Sequence, residues 1–400
     1  VQFLHDSKLR KIEKEAFAFT SVDDIEIPSH VDTIEEGAFS RCEEMKNIHF
    51  SPDSPLEHIQ KRTFFGSALE RIFVPKNVKT IGDFAFSLCD YLTTVEFSPD
   101  SELRMIGCNC FSCTPIKTVT IPALVRRIRE CAFISCGCLK SVEFDAYSEL
   151  RVIDKDAFSY TAIEEIIIPS CVSRIGQFSF SCCEKLKSVK FAKYCDLRII
   201  EKEAFASSMI EEIEIPSRVQ KICEYAFSDC DKLRTVNFSY DSELLIIDKD
   251  AFSNTPIEKI EIPPTVILIK DSAFSDCKEL KVVKIDKKSE LQLIGKSAFK
   301  NTEFDSFYVP KGVSSIGINA FSGNKKLDSI EFGRDPKYIF INRKAFANTV
   351  ESIDFIFDDL RIPCNIASFE EEDEEEEEAF IEEEEEEEEF VEDENANQKK

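Results

Sequence analysis

The chain has 400 residues, of which 43% are hydrophobic, so it can bury a large core and is not disordered throughout. Trp is absent, Gly numbers only 11 and Phe reaches 35, a composition far from that of an ordinary enzyme domain. The net charge of −27 argues against a nucleic-acid-binding surface. No apolar run approaches the ~18 residues of a membrane-spanning helix, so the sequence predicts no transmembrane segment.

A 47-residue period runs along the chain. A Pro that follows Ile or Val recurs once in each period, at Pro28, Pro75, Pro122, Pro169, Pro216, Pro263 and Pro310. A Phe, preceded in most copies by Ala, recurs at spacings that alternate between 22 and 25 residues, at Phe17, Phe39, Phe64, Phe86, Phe111, Phe133, Phe158, Phe180, Phe205, Phe227, Phe252, Phe274, Phe299, Phe321 and Phe346. Such self-similarity is typical of a solenoid, here with fifteen coils, two to each period.

The sequence of each coil predicts one short strand followed by one turn. Segments such as "IEEIII" at 163–168 have the period-2 alternation of a strand with one buried face. A Pro or a turn such as "SPDSEL" at 98–103 then ends the strand. The following stretch, of the form "VxxIGxxAF", has apolar spacings of three and four, which predict a brief helical or 3₁₀ turn. Sixteen strands, from "VQF" at 1–3 to "SIDF" at 352–355, would form one parallel sheet over a core of buried Phe rings.

These residues resemble the BspA-like class of leucine-rich repeats, whose consensus is close to "LxxIxIPxxVxxIGxxAFxxC". The resemblance covers residues 1 to about 357. It implies an α/β repeat solenoid, a β-rich horseshoe with a concave parallel β-sheet and a convex side of short helical or 3₁₀ turns. The family is found on surfaces of mucosal bacteria and in anaerobic protozoa, and it is associated with adhesion and host-protein binding. The resemblance therefore implies a cell-surface or secreted protein.

Two regions follow from this pattern, a repeat solenoid at 1–366 and an acidic tail at 367–400. Residues 370–394 hold 20 of the 77 Asp and Glu residues, so most of the net charge lies in the tail. A segment of this composition cannot pack a core, and we expect it to be disordered. It could bind basic proteins or serve only to keep the chain soluble.

The first residues, "VQFLHDSK", include neither an initiator Met nor an apolar signal segment. The first predicted strand also lacks the polar cap that the end of a solenoid needs. We therefore expect the chain to be a fragment or a processed form, and the missing signal decides nothing about export.

A column of short polar side chains lies three residues after each repeating Phe. It contains six of the 16 cysteines, alternating with Thr or Ser: Cys42, Cys89, Cys136, Cys183, Cys230 and Cys277. A short donor at such a bend can satisfy backbone carbonyls that the turn leaves unpaired. Column cysteines are two coils apart, about 10 Å at ~4.8 Å per coil. A disulfide needs Cα atoms within about 7 Å, so we expect these thiols to stay reduced as a structural ladder.

Five further cysteines crowd one region, at Cys108, Cys110, Cys113, Cys131 and Cys138. The stretch "CNCFSC" at 108–113 is compatible with a zinc site, with a disulfide that involves Cys110 or Cys131, or with buried structural thiols. The last interpretation is favoured because Cys110 occupies the Ala position of the "AF" pair and should point into the core. We expect no metal, no cofactor and no catalytic residue, since no GxGxxG, Walker-type loop or HExxH occurs.

The candidate protein-binding residues lie at the outward centre of the predicted sheet. Most positions there are polar or charged, and Phe73, Ile167 and Tyr308 interrupt them. His49, Lys190 and Lys284 complete the candidate set. Solenoids bind partners on this face, so the three apolar residues are either interaction anchors or tolerated surface variation.

Two classes of function fit these features. The first is a non-enzymatic protein-binding scaffold, a BspA-like surface or adhesion protein whose partner the sequence does not name. The alternative is an intracellular leucine-rich-repeat regulator or chaperone, cytoplasmic or nuclear, that binds basic proteins such as histones through its acidic tail. A signal peptide at the full-length N-terminus would favour the first class, and its absence there would favour the second.

Overall fold

The computed structural model describes Phe3, residues 7–333 and 339–349, and the backbone of the strand Cys364–Asn365. The acidic tail at 367–400 and the predicted strand at 352–355 lie outside the described residues, as does most of the predicted strand at 1–3.

Two sets of parallel strands alternate along the chain. The long strands are Asp24–Glu26, Asn47–His49, Arg71–Val74, Thr94–Phe97, Thr118–Ile121, Ser141–Phe144, Glu165–Ile168, Ser188–Phe191, Glu212–Ile215, Thr235–Phe238, Lys259–Ile262, Val282–Ile285, Ser306–Val309 and Ser329–Phe332. The short strands are Lys11–Ile12, Thr33–Ile34, His58–Ile59, Thr80–Ile81, Met105–Ile106, Arg127–Ile128, Val152–Ile153, Arg174–Ile175, Ile199–Ile200, Lys221–Ile222, Ile246–Ile247, Leu268–Ile269, Leu293–Ile294, Ser315–Ile316, Ile339–Ile341 and Cys364–Asn365.

The long strands pair tightly and loosely in turn. Inside one 47-residue period two long strands pair over four residues, as Thr118–Ile121 does with Ser141–Phe144. The next period is joined through a single residue pair, such as Ser141 with Glu165. The long strands form sheets of two, ten and two strands, so the expectation of one continuous sixteen-stranded sheet of these strands was wrong. The continuous sixteen-stranded sheet is the one made by the short strands.

The predicted helical or 3₁₀ turns were also wrong, because the described residues contain no helix. After each short strand the chain makes overlapping turns, with amides that donate to carbonyls three residues earlier, as Ala18 does to Glu15 at 3.0 Å. Alternate amides in the same stretch donate to the next coil, as Phe17 does to Ala38 at 2.8 Å. Two residues per coil, four positions apart, have positive φ, for example Glu15 and Phe19. These residues reverse the backbone, so the peptide groups can reach the neighbouring coil as a helix could not.

We call this third set of inter-coil hydrogen bonds the turn ladder. It comprises the segments equivalent to 15–19 in every coil, each with a positive-φ residue at its end and, in all but the last coil, another at its start. The long strands, the short strands and the turn ladder therefore surround one core. The short strands and the turn ladder bind each coil to the next, and the long strands do so except between Asn47–His49 and Arg71–Val74 and between Val282–Ile285 and Ser306–Val309.

The repeating Phe residues form one unbroken stack through this core. Consecutive ring centroids are 5.1 to 5.7 Å apart, and the ring planes are within 2° to 16° of parallel. This centroid distance suits offset stacking and is close to the spacing of hydrogen-bonded strands, so each coil contributes one ring. The rings are fully buried from Phe39 to Phe321, and the two at the ends, Phe17 and Phe346, are half-buried.

We expect Phe205→Ala to lower the free energy of unfolding by ~3–5 kcal/mol, because it opens a cavity in the middle of the stack. Urea or thermal unfolding measures the loss. Phe17→Ala is the matched control, since this ring is half-buried and has a stacked neighbour on one side, and it should cost clearly less. Equal effects at the two positions would contradict the role of the stack.

Candidate protein-binding face

The third residue of each long strand faces solvent, while the residues before and after it point into the core. Ile166 and Ile168 are buried, whereas Ile167 between them is 59% exposed, as the alternation of a strand requires. We call the set of these third residues the outward column. It consists of Glu26, His49, Phe73, Glu96, Thr120, Glu143, Ile167, Lys190, Glu214, Asn237, Glu261, Lys284, Tyr308 and Glu331. All are exposed except Phe73 and Tyr308, which are half-buried.

The three apolar candidates of the outward column do not meet. Phe73 is four strands and Tyr308 six strands away from Ile167, or roughly 19 and 29 Å at ~4.8 Å per strand. Each stands opposite a charged residue in its tightly paired strand: Glu96 beside Phe73, Lys190 beside Ile167, and Glu331 beside Tyr308. The face therefore carries isolated apolar points among charges rather than one hydrophobic patch.

The polar candidates also pair across neighbouring strands. His49 Nε2 lies 3.5 Å from Asp24 Oδ1, and both side chains are more than half exposed. Lys284 stands opposite Glu261. Exposed ion pairs of this kind contribute about 0–1 kcal/mol. Because both signs of charge occur along the outward column, these residues determine the charge pattern that a partner must complement.

Each column cysteine donates a hydrogen bond to a backbone carbonyl oxygen of the preceding coil. Cys183 Sγ donates to the carbonyl oxygen of Phe158 at 3.2 Å and lies 3.3 Å from Thr161 Oγ1. Thr161 Oγ1 donates to the same carbonyl at 2.9 Å, so one oxygen accepts from both coils. The other five cysteines lie 3.0 to 3.2 Å from their carbonyls. Asn324 takes the same place in its coil, with Nδ2 2.9 Å from the carbonyl oxygen of Phe299.

Burial keeps these thiols protonated. Desolvation raises the pKa to about 11 in five of the six: Cys89, Cys136, Cys183, Cys230 and Cys277. The pKa of Cys42, near the end of the stack, is raised by the same cause. The thiolate is the reactive form of cysteine, so thiols with such pKa values are poor nucleophiles at neutral pH.

The crowded cysteines between 108 and 138 divide by position. Cys110 is fully buried in the Ala column of the core, Cys108 and Cys131 are half-buried, and Cys113 and Cys138 are exposed. All five are free thiols. The same residues include no group of three or more potential metal ligands. The described structure therefore brings together neither a disulfide nor a zinc site here.

The sequence analysis missed an apolar surface on the short-strand sheet. The outward residue of the short strand is Ile, Leu or Phe in five coils of the C-terminal half, at Ile199, Ile246, Leu268, Leu293 and Phe340. Ile199 and Phe340 are exposed and the other three half-buried. The signal was present as "II" and "LI" pairs, because a strand with one buried face needs only one apolar residue of the two.

A second missed feature is a set of tyrosines on the turn that follows a long strand. Tyr147, Tyr194 and Tyr240 are 86%, 82% and 99% exposed, in three successive periods. Lys193 Nζ lies 5.1 Å from the ring centroid of Tyr194, and the three side chains remain open to solvent. They give matched exposed apolar positions away from the outward column.

The repeat pattern also matches a known family model. The model of the BspA type leucine-rich repeat region matches residues 10–140, 104–234, 151–281 and 245–372, which together span most of the chain. The chain belongs to the BspA-type leucine-rich repeat family. The resemblance expected from the repeat is thereby confirmed, and the parallel solenoid is the fold of this family.

Solved structures that are similar to this chain come from several bacteria. A leucine-rich repeat protein from Bacteroides ovatus is 22% identical, with 85% of this chain and 86% of that one covered and a TM-score of 0.61. The pneumococcal vaccine antigen PcpA is 21% identical over 64% and 75% of the two chains, with a TM-score of 0.41. A leucine-rich cell surface protein from Faecalibacterium prausnitzii is 22% identical over 81% and 83%, with a TM-score of 0.40. No curated protein sequence matches this BspA-type chain.

A search of the described residues finds no helix that could cross a membrane.

We predict that the six column cysteines of the BspA-type solenoid react with iodoacetamide only after unfolding, because their thiols are buried and protonated. Cys113, Cys138 and Cys171, which are exposed, serve as internal controls and should be alkylated within the native protein at pH 8. Mass spectrometry before and after denaturation counts the modified sites. Rapid native labelling of Cys183, or a Cys183–Cys230 disulfide, would contradict the ladder.

Proposed function

We propose that this BspA-type chain is a non-enzymatic protein-binding scaffold that acts in adhesion at a cell surface. The observation that carries the proposal is the outward column. It presents fourteen side chains at regular spacing, and each is flanked along the chain by two residues that belong to the core or pack against it. Leucine-rich-repeat solenoids bind partners on the concave sheet, and we expect the long strands to form that side.

A rigid backbone that carries variable exposed side chains suits the recognition of a protein. The buried residues and the three hydrogen-bond ladders fix the backbone, so side chains of the outward column can differ from coil to coil without loss of stability. Binding energy at protein interfaces comes from a few desolvated anchors. Ile167 is the most exposed apolar residue of the column, and Phe73 and Tyr308 are the other candidates. The charged residues between them would select the partner rather than supply most of the affinity.

The polar clusters of the described residues support a role without catalysis. The arrangement that most resembles a catalytic one is His58, whose Nδ1 lies 2.8 Å from Thr80 Oγ1. Its ring lies 4.0 Å from Glu57, but Lys79 already pairs with that carboxylate at 2.7 Å. The group stands on an exposed strand face, where water would compete for each of these contacts.

The second candidate function is a regulator or chaperone of basic proteins inside the cell. The specific observation that favours it is the run of 20 acidic residues between 370 and 394, which lies outside the described residues. A polyanionic segment attracts polybasic proteins such as histones over long range. The two candidates place binding in different parts of the chain, so they can be separated by experiment.

We expect the triple variant Phe73→Ser, Ile167→Ser, Tyr308→Ser to lose binding to host surface proteins, because it removes the apolar anchors of the outward column. Quantitative pull-down from a host-cell membrane extract measures retention. The matched control is Tyr147→Ser, Tyr194→Ser, Tyr240→Ser, which removes exposed aromatic area elsewhere on the solenoid. Equal retention by both variants would refute a binding role for the long-strand sheet.

We expect deletion of residues 367–400 to leave this binding intact but to abolish retention of histones at low salt. Tail contacts arise from unscreened charge, and the screening length falls from about 10 Å at 0.1 M salt to about 3 Å at 1 M. Pull-downs with the full-length and truncated chains at both salt concentrations make the comparison. If truncation removes all binding while the triple variant has no effect, the regulator replaces the adhesion protein as the proposed function.

A further inference from the structure

A cavity of about 400 Å³ lies on the turn ladder, away from the outward column. Four successive coils line it, between residues 156 and 229. Its volume is within the range of ligand-binding clefts, about 300–1,000 Å³. None of the functional roles assigned above uses it.

The cavity has aromatic walls and a floor of small residues. Phe178 and Tyr225 stand on one side, at the first positive-φ position of their coils, and Tyr160 stands on the other side, at the second. The floor is formed by the residue that follows the repeating Phe in each coil, namely Ser159, Ser181, Ala206 and Ser228. These four residues belong to a column that is Ser or Ala in most coils and holds larger side chains only at Phe65, Ile134 and Lys300.

The charge of the lining is entirely negative. Asp156, Glu203 and Asp229 contribute carboxylates, and no Lys, Arg or His belongs to the lining. Asp229 accepts hydrogen bonds from Ser228 and Asn254, at 2.8 and 2.6 Å. Among the described residues, Asp156 and Glu203 make no ion pair. Burial raises the pKa of Asp156, and this effect exceeds the opposing influence of nearby Lys155 and of the Ser159 hydroxyl.

Elsewhere on the turn ladder two arginines of the chain lie against aromatic rings, one of which, Phe84, has the same position in its coil as Phe178 and Tyr225. Arg62 and Phe84 occupy the first positive-φ position of adjacent coils, and the guanidinium carbon lies 5.6 Å from the ring centroid. Arg41 and Arg62 also lie over Phe65, at 5.4 and 5.8 Å. These distances are those of cation–π contacts. In the coils of the cavity the residue before each ring in the same column is acidic: Asp156 before Phe178, and Glu203 before Tyr225.

We propose that this cavity binds an arginine side chain of a partner protein, with the guanidinium stacked on the aromatic wall and paired with Asp156 or Glu203. The planar guanidinium both stacks on rings and bonds a carboxylate in a bidentate manner. Arginine therefore matches both parts of the lining, whereas the ammonium group of lysine matches the carboxylates better than the rings. The site is independent of the outward column and stands whether or not that face binds a partner.

A protein-borne arginine suits the cavity better than a free small molecule. Tyr160 is 58% exposed, so the cavity is open to solvent and would bury little of a separate ligand. A side chain on a partner shares the cost of lost translational freedom with the rest of its interface. Lys155 and Lys202 lie 5.9 Å from the Phe178 and Tyr225 rings, and neither belongs to the lining, so the rings already attract cations from outside the cavity.

The test uses the full-length chain labelled with 3-fluorotyrosine and fluorine NMR. The probe is the peptide N-acetyl-Gly-Arg-Gly-amide, and Tyr160→Phe and Tyr225→Phe assign the two resonances. The acidic tail contains no tyrosine, so peptide bound there is not detected at these positions. We expect saturable shifts at Tyr160 and Tyr225 but not at Tyr147, Tyr194 or Tyr240. The same peptide with citrulline, which is uncharged, should give no shift.

The double variant Asp156→Asn, Glu203→Gln should lower the affinity for the peptide about tenfold, as the loss of a charge-assisted hydrogen bond predicts. Glu15→Gln is the matched control, since Glu15 has the same positive-φ position in a distant coil, and it should change nothing. Absent shifts, equal shifts with citrulline, or equal affinities in the two variants would overturn the proposal. An affinity for agmatine equal to that for the peptide would assign the site to small guanidinium compounds instead.

Discussion

Backbone hydrogen bonds between successive coils are the constraint on which the rest of this solenoid depends. They run through the short strands and the turn ladder along the whole described stack, and through the long strands of most coils. They set the advance per coil to one strand spacing. An aromatic ring that recurs once per coil must then lie about 5 Å from its copies, as the Phe stack does. The buried thiols follow from the same constraint, because the bend after each Phe leaves its carbonyl oxygen facing the next coil.

The repeat and its strands could be predicted because they depend on a pattern of residue types that the sequence shows directly. The Phe column, the Pro column and the alternation in segments such as 163–168 each impose a burial pattern that stacking alone can satisfy. The turn ladder could not be predicted in the same way. Its positive-φ positions hold ordinary residues such as Glu15, Phe19 and Arg41, none of which favours that conformation by itself. Its apolar spacings of three and four are also those of a helix, so the pattern alone indicated the wrong element.

The candidate surfaces show the same division between local pattern and packing. Strand alternation placed the six candidate residues at the outward centre of the sheet, where the structure also has them, but the degree of exposure depends on neighbours in other coils. Tyr308 is half-buried because its hydroxyl lies over Gly333, 3.0 Å from where a Cβ would stand. The cavity depends on four floor residues separated by 22 to 25 positions in sequence, and each is an unremarkable Ser or Ala when considered singly. Its existence becomes visible only once the coils are stacked.

The alternation of tight and loose strand pairing makes two coils, rather than one, the unit by which this protein can lengthen or shorten. Duplication or deletion of 47 residues at a loose junction, such as the single pair Ser141 and Glu165, recreates every pairing on both sides. Removal of a single coil does not. Loss of the coil that carries Thr161 would place Cys136 and Cys183 in adjacent coils, at a Cα separation of ~4.8 Å, where disulfides can form. A change in length by whole periods is therefore compatible with an oxidising environment. Loss of a single coil would instead replace two inert thiols with a pair open to oxidation.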